Sequence, residues 1–390
     1  TGAYGISFIL VLMNLGVGAY LWKIFTQKRV KRWTERICPE FYVALGALFA
    51  VVMVFFETVP KAGQMLPMFD AGVVQPNIPQ TYKWEEGEAA EHLAVIERQT
   101  TLVNALGADV LLWPESATPL PVIGYSNLRD WIETLSRELG TPILMGNLAQ
   151  ETDGTEAASW YNGIFFVDPE KGLADTYYRK RKLVPFGEYV PLRSWFPFIG
   201  KFVPLEGDFQ RGLEAEALTA RIGPQAWKIG GLVCYEDIFP RLARTLAREG
   251  VEVFFVATNN AWYGEEAGAY QHAAHSVLRA VETRRPFIRC GNNGWSGYID
   301  ERGQIRQELA DARGTIYFRG GGVLEVYRDR LFSRAPSFYA RAGDWFVLLS
   351  AVLAGFGYVF FRRSPEYEPP PPDPDLLPQV GITVRRRRKG

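Results

Sequence analysis

The sequence predicts an α/β domain, with sheets covered by helices, carried between membrane-spanning α-helices. Three observations point there. Short Val/Ile/Phe-rich runs alternate with helical patterns through the middle of the chain, long apolar stretches lie near both ends, and Lys/Arg clusters border those stretches on one side. Alternating apolar strands and helices indicate sheets buried on both faces. At 390 residues, 47% of them hydrophobic, the chain can bury a sizeable core and form two or three units of about 150 residues each. Its 43 basic side chains balance 43 acidic ones. That excludes a general nucleic-acid binder, whose footprint is a basic excess. The 11 Trp, 18 Tyr and 25 Phe suit a membrane interface or a large core.

From the N-terminal end, Gly5 to Phe25 is apolar with no charge before Lys23, and about 20 such residues suffice to cross a bilayer. A secretory signal is the alternative, but the segment has neither an initiating Met nor a basic leading region. The missing Met points to a chain that continues upstream. Phe41 to Phe56 and Asp344 to Phe361 are two further apolar runs. For these, a buried helix of a soluble domain is the alternative. The connection from Lys23 to Arg36 is densely basic, and short basic loops stay in the cytoplasm. The first helix then runs inward, the second outward, and the region from about Glu57 to Gly343 lies outside. Arg362, Arg363 and the terminal RRRRKG agree. The expected division is residues 1–56 (two helices and a basic loop), 57–343 (the α/β domain), 344–361 (the third helix) and 362–390 (a Pro/Arg-rich, disordered cytoplasmic tail).

Within the central region, strands are expected in AGVVQPN, GADVLLWPES, TPILMGNL, NGIFFVDP, WKIGGLVCYED, VEVFFVATNNAW, PFIRCGNNG and SGYID. Helices are expected over Glu88 to Leu106, Ser126 to Gly140, Arg241 to Gly250 and Ala267 to Arg285. In such sheets, ligands gather beyond the carboxyl ends of strands. Those ends carry Glu115, Cys234, Asn259 and Asn260. A further segment holds Lys180, Arg181 and Lys182, followed by Glu188 behind a Pro-Phe-Gly turn.

Three cysteines, Cys38, Cys234 and Cys290, cannot build a disulfide framework. Cys234, between an apolar strand and an acidic turn, fits either a buried core thiol or a nucleophile on a strand-to-helix elbow. With only three histidines in the chain, activation would fall to a carboxylate base and a cationic lysine. Glu115 also fits a surface or capping carboxylate, and the 180–182 cations a solvated charge run. His272 and His275, at i and i+3, lack a third ligand nearby and read as packing residues rather than a metal pair. Ser296 sits in GNNGWSG, which breaks the elbow spacing and reads as structural. Cys290 reads as core, and Cys38 borders the second apolar helix.

WPES at Trp113 to Ser116, YRKRKLVPFGEYVP at Tyr178 to Pro191 and GGLVCYEDIFP at Gly230 to Pro240 resemble the three catalytic motifs of the nitrilase superfamily. VQPNIPQTYKW (Val74 to Trp84), FVPLEGDF (Phe202 to Phe209), NNAWYG (Asn259 to Gly264) and the stretch Gln271 to Gly303 are similar to its membrane-bound branch, the apolipoprotein N-acyltransferases. The resemblance runs from the first helix to Phe361. It implies a four-layer αββα sandwich flanked by transmembrane α-helices. It also implies Glu115 as general base, Lys180 as oxyanion-stabilising lysine and Cys234 as nucleophile. Lys180 is chosen over Lys182 because the family lysine stands eight positions before the Phe-Gly-Glu glutamate, here Glu188. Glu188, Tyr235 and Glu236 match supporting positions, and Trp84 and Asn162 match positions near the lipid pocket.

By the same resemblance the acyl donor is a phospholipid and the acceptor the N-terminal amine of a diacylglyceryl-apolipoprotein. No cofactor, metal or nucleic acid is called for, and the membrane is the bacterial inner membrane with the domain on its periplasmic side. A membrane-tethered carbon-nitrogen hydrolase (amidase) using the same three residues is the alternative, and a noncatalytic scaffold is a second one. Family members carry several more membrane helices ahead of this region, and the Pro- and Arg-rich tail falls outside the resemblance.

Overall fold

A computed structural model describes residues 1–26, 37–58, 65–79, 86–152, 158–193, 195, 198, 208–332 and 336–363. The basic loop beyond Thr26, Trp84, most of the Phe202 to Phe209 motif and the tail from residue 364 lie outside the described residues.

Helices α1 (Ala3–Thr26) and α2 (Pro39–Thr58) are both long and apolar enough to cross a membrane. They form a hairpin. Gly16 lets them close up, since a Cβ there would stand 2.9 Å from the Ala44 Cβ. Tyr20 stacks on Phe41 with ring centroids 4.8 Å apart, and Lys23 Nζ donates to the Ile37 carbonyl at 2.7 Å. Most of their Leu, Val and Phe side chains face outward, which for α2 differs from the covered core helix that was its alternative.

The α/β domain begins with β1 (Met65–Gln75), α3 (Ala89–Asn104), β2 (Val110–Trp113), α4 (Ser126–Leu139), β3 (Ile143–Glu151), β4 (Ser159–Asp168) and the two-residue β5 (Gly172–Leu173) and β6 (Tyr178–Arg179). It continues with β7 (Ala217–Ile222), β8 (Gln225–Val233), α5 (Pro240–Arg248), β9 (Val253–Thr258), α6 (Gly268–Thr283) and β10 (Phe287–Gly291). β11 (Gly297–Ile299), β12 (Ile305–Glu308), β13 (Gly320–Asp329) and α7 (Phe338–Ala342) complete it. The chain divides after Asp344, and the second unit contributes α8 (Trp345–Arg363), whose apolar part is shorter than the other two candidate spans.

One sheet runs β13-β1-β2-β3-β4-β5, with β6 paired to β4; the other runs β12-β11-β10-β9-β8-β7. Each has a parallel centre, β1-β2-β3 and β8-β9-β10, and antiparallel flanks. The pleat sorts the side chains. On β2, Val110 and Leu112 join one core with Phe255, Ala257 and Ile288 of the second sheet, while Leu111 and Trp113 join Ile96, Leu128 and Ile132 of α3 and α4. On the far side of the second sheet, Phe254 and Phe287 pack with Leu246 of α5 and Ala280 of α6. The layers are therefore helix, sheet, sheet, helix.

All eight expected strand runs and all four expected helices appear. The sequence reading lacked β5, β6, β7, β12, β13 and α7. β7 and β13 are flanking strands of mixed polarity, and β13 opens on three glycines.

The two sheets approach closely beside the first candidate residue. Gly146 on β3 faces β9, and a Cβ there would meet the Ala257 Cβ and the Pro114 carbonyl at 2.7 Å and Glu115 Cα at 2.8 Å. Gly146→Ala should lower stability by about 1–3 kcal/mol through overpacking and move Glu115. Denaturant unfolding of the variant, together with loss of the reaction proposed below, checks it.

Candidate active site

The parallel strands β2, β8 and β9 all end on the same side of the sandwich, and their carboxyl ends carry the candidate residues. Glu115 follows β2, and Ser116 after it takes φ 46°. Cys234 follows β8 at φ 54°. A left-handed conformation at a non-glycine residue costs about 1–2 kcal/mol, so both turns need support from their surroundings. The elbow differs in detail from the expected strand-to-helix turn: Cys234–Ile238 is a 3₁₀ turn, and α5 starts afterwards with Pro240 at its first position.

Glu236 supplies much of that support. It is fully buried. One carboxylate oxygen accepts the backbone N–H groups of Arg181 and Lys182 at 2.7 and 2.9 Å, and the other accepts the Val233 N–H and the Tyr178 hydroxyl, each at 2.9 Å. Burial pushes its pKa up, against the pull of these N–H donors and Lys180. One side chain thus ties the elbow to the segment that carries Lys180.

Lys180 itself is only 1% exposed. It leaves β6, which is clamped to β4, and its backbone N–H donates to Asn162 O at 2.8 Å. Its Nζ lies 2.8 Å from Glu188 Oε1 and 3.1 Å from Glu115 Oε1. Asn162 Nδ2 donates to the same two oxygens at 3.0 and 2.9 Å. Glu188 is presented by a turn in which Phe186 takes φ 63°, and its second oxygen accepts the Val184 N–H at 2.9 Å. Burial pulls Lys180 down, but the Glu115 and Glu188 charges outweigh it and hold its pKa well above the usual value. The neighbouring Lys182 is exposed, its Nζ 5.6 Å from the Phe239 ring centroid. Tyr235 anchors its hydroxyl on the Leu183 carbonyl, with Lys180 Nζ 5.7 Å from its ring centroid.

Cys234 is 8% exposed. Burial pushes its pKa up to about 12; the Glu115 charge adds to this, and Lys180 and a hydrogen bond with Thr258 oppose it. The thiol is therefore protonated at rest, beside a cation that cannot serve as a base and a carboxylate that can.

Behind the elbow lies a buried polar cluster that sequence reasoning missed. Asp237 accepts from Ser276 Oγ at 2.6 Å, pairs with Arg289, and lies 3.1 Å from His272 Nε2. The opposing charges outweigh burial and hold Asp237 far below the usual carboxylate range. Arg289, a lone charge inside the apolar run PFIRCG, was the available signal. His272 is a packing residue in this cluster, as expected. Ser296 is structural, donating to Gln75 Oε1 and accepting from the Gly291 N–H. Cys290 is fully buried in β10, and Cys38 donates to Glu40 at 3.2 Å. Trp84 falls outside the described residues.

A doubly layered α/β sandwich with a cysteine, a glutamate and a lysine gathered at its strand ends is the arrangement of a carbon-nitrogen hydrolase. The chain belongs to the carbon-nitrogen hydrolase family, whose model matches residues 70–318. The curated relatives it is similar to are named apolipoprotein N-acyltransferase. That of Geobacter metallireducens is 34% identical over 379 residues, 93% of this chain and 66% of that protein. Those of Bdellovibrio bacteriovorus and Rickettsia prowazekii are 29% and 30% identical, over 91% and 90% of this chain and 65% and 66% of theirs. The chain thus spans about two thirds of the length of these relatives. Among solved structures, a cysteine-to-alanine mutant of the Nesterenkonia AN1 amidase, from the nitrilase superfamily, aligns with TM-score 0.51 at 16% identity, covering 74% of this chain and 99% of that one. That likeness bears on the fold.

Glu236→Gln replaces an acceptor of four donors by a group that must present N–H to some of them. It should cost about 3 kcal/mol, as breaking a buried charged network does, and should loosen Lys180. Unfolding midpoints of variant and parent check this; equal midpoints would refute it.

Proposed function

We propose that this chain carries an acyltransferase site that moves a fatty acyl chain from a phospholipid, through a thioester on Cys234, to the N-terminal amine of the diacylglyceryl-cysteine of apolipoproteins, a step of lipoprotein maturation. The observation that carries the reading is the Lys180 ammonium held between Glu115 and Glu188, near the Cys234 thiol, whose pKa burial and the Glu115 charge push up. The naming of the relatives supports the choice of substrates.

In the first half-reaction Glu115 takes the thiol proton as sulfur attacks the ester carbonyl, and the oxyanion forms against Lys180. Collapse expels the lysophospholipid oxygen, which takes the proton back from Glu115, and the acyl group stays on sulfur. In the second, the acceptor amine attacks the thioester, Glu115 accepts the amine proton, and the departing sulfur recovers it. One site serving both halves gives ping-pong kinetics. Glu188 and Asn162 hold Glu115 and Lys180 in place, and Tyr235 and Glu236 support the elbow; the resemblance implies a role for Asn162 and Trp84 in binding the lipid.

Exposed Phe186, Leu192, Trp195 and Phe198 in the loops after β6, with Trp262 after β9, favour an apolar substrate over a freely soluble one. We read α1, α2 and α8 as membrane spans with the limits set out above, multi-pass in the bacterial inner membrane with the domain on the periplasmic side. The Ala3 N–H at the start of α1 donates to Glu282 Oε1 of the domain at 2.7 Å, and β1 begins soon after α2 ends. These contacts support both outer ends of the hairpin lying on the domain's side.

Intact-mass analysis after incubation with phospholipid vesicles should show one fatty-acyl adduct, removed by hydroxylamine and absent in Cys234→Ser. A lipopeptide with a free amine should then collect the acyl group. Turnover by Cys234→Ser at the parent rate would overturn the assignment, and fatty-acid release without transfer would point to a hydrolase.

A further inference from the structure

Thr258 is the last residue of β9 and is fully buried. In the parallel pairing of β8 with β9, Val233 stands opposite Ala257, so the residues that follow, Cys234 and Thr258, leave the sheet side by side. The Thr258 hydroxyl is near enough to the Cys234 sulfur to draw the thiol pKa down. It also lies 3.3 Å from Asn260 Oδ1. A hydroxyl has one proton to give, so it serves one of these acceptors at a time. Asn260 is not free to follow it: its side chain is buried, with Oδ1 3.0 Å from His272 Nδ1, and the other ring nitrogen of His272 faces Asp237. The second acceptor is therefore fixed from behind, three residues along the same elbow that presents the thiol.

We propose that Thr258 is a further catalytic residue, whose hydroxyl donates to the Cys234 sulfur once the thiol has lost its proton and to Asn260 Oδ1 while the thiol keeps it. The proton leaving sulfur goes to Glu115. No proton leaves Thr258; its O–H only turns. The other charged or titratable groups acting on the sulfur are Glu115 after β2, Lys180 and Glu188 after β6, and Tyr263 after β9, with Asp237 and His272 behind. Of these only Lys180 favours the sulfur anion, at the cost of pairing with two carboxylates. A neutral donor that turns toward sulfur complements it without adding a second charge to a buried site.

The inference rests on Cys234 as the nucleophile, but its test needs no lipid, so it stands or falls separately from thioester formation. Iodoacetamide reacts with the thiolate, and at a fixed pH below the thiol pKa its rate follows the thiolate fraction. Thr258→Val keeps the shape and removes the donor, and should slow alkylation of Cys234 by about tenfold, the effect of losing one hydrogen bond to a charged group. Thr258→Ser restores the hydroxyl and should restore the rate. Alkylation in denaturant should be alike for all. Thr258→Ala serves as the second donor-free variant if the valine protein does not fold. A donor-free folded variant that alkylates at the parent rate overturns the proposal, as does a folded serine variant as slow as the donor-free one.

Discussion

A lysine ammonium with almost no solvent contact is tolerable only in company, and the site is organised around that constraint. Taking such an ion out of water costs several kcal/mol unless opposite charge and hydrogen bonds meet it. Lys180 is met by two carboxylates on one side and the Tyr235 ring on another. Each partner comes from a separate piece of chain and has to be held there. Glu115 stands at a strained turn after β2, Glu188 is brought round by the Phe186 turn, and Asn162 of β4 bridges both carboxylates. Removing any one partner would leave a buried charge short, so the acid, the amine and their bridging amide hold together as a unit.

The same reasoning explains the second buried cluster. The left-handed backbone at Cys234 raises the elbow's energy, and the residues that follow, Glu236 and Asp237, are both acidic and both without solvent. They face opposite ways. Glu236 turns toward the Lys180 segment and collects donors from it, while Asp237 turns toward α6 and β10 and collects Ser276, His272 and Arg289. The elbow is thereby fastened to both halves of the domain. A buried ion pair is a weak source of net stability, but two buried carboxylates fastened in opposite directions just after one residue specify where that residue's side chain points.

How much of this could be read in the sequence varied with the kind of signal. Strands buried on both faces are continuous apolar runs, and every such run anticipated from the sequence is a strand. β7 and β13 were not legible because flanking antiparallel strands mix charged residues or glycines with apolar ones. Glu115, Lys180, Cys234, Glu188, Tyr235 and Glu236 were legible from their motifs, and the structure brings them together. Asn162, expected near a lipid pocket, binds both carboxylates. The Asp237 cluster was not legible, since its members come from residues 237 to 289 and a lone Arg in a strand or a His on a helix has many ordinary explanations. Thr258 carried no sequence signal at all. It is an unremarkable strand residue until the register of β8 against β9 sets it beside the sulfur.

A cysteine–histidine pair ionises its thiol in advance, because imidazolium and thiolate stabilise one another. Here the balance near sulfur is two carboxylates against one ammonium, and burial adds to the excess, so the resting thiol keeps its proton. In the reaction proposed above, attack is then coupled to proton transfer, with Glu115 gaining the proton only as sulfur gains a carbonyl carbon. At that moment Glu115 becomes neutral, and Lys180, until then shared between two anions, loses one of them. Its ammonium is then more available to the oxyanion forming nearby, so proton removal and oxyanion stabilisation reinforce each other in the transition state and not before it. On the proposed reading, the arrangement keeps a buried, weakly reactive thiol until an acyl carbonyl arrives.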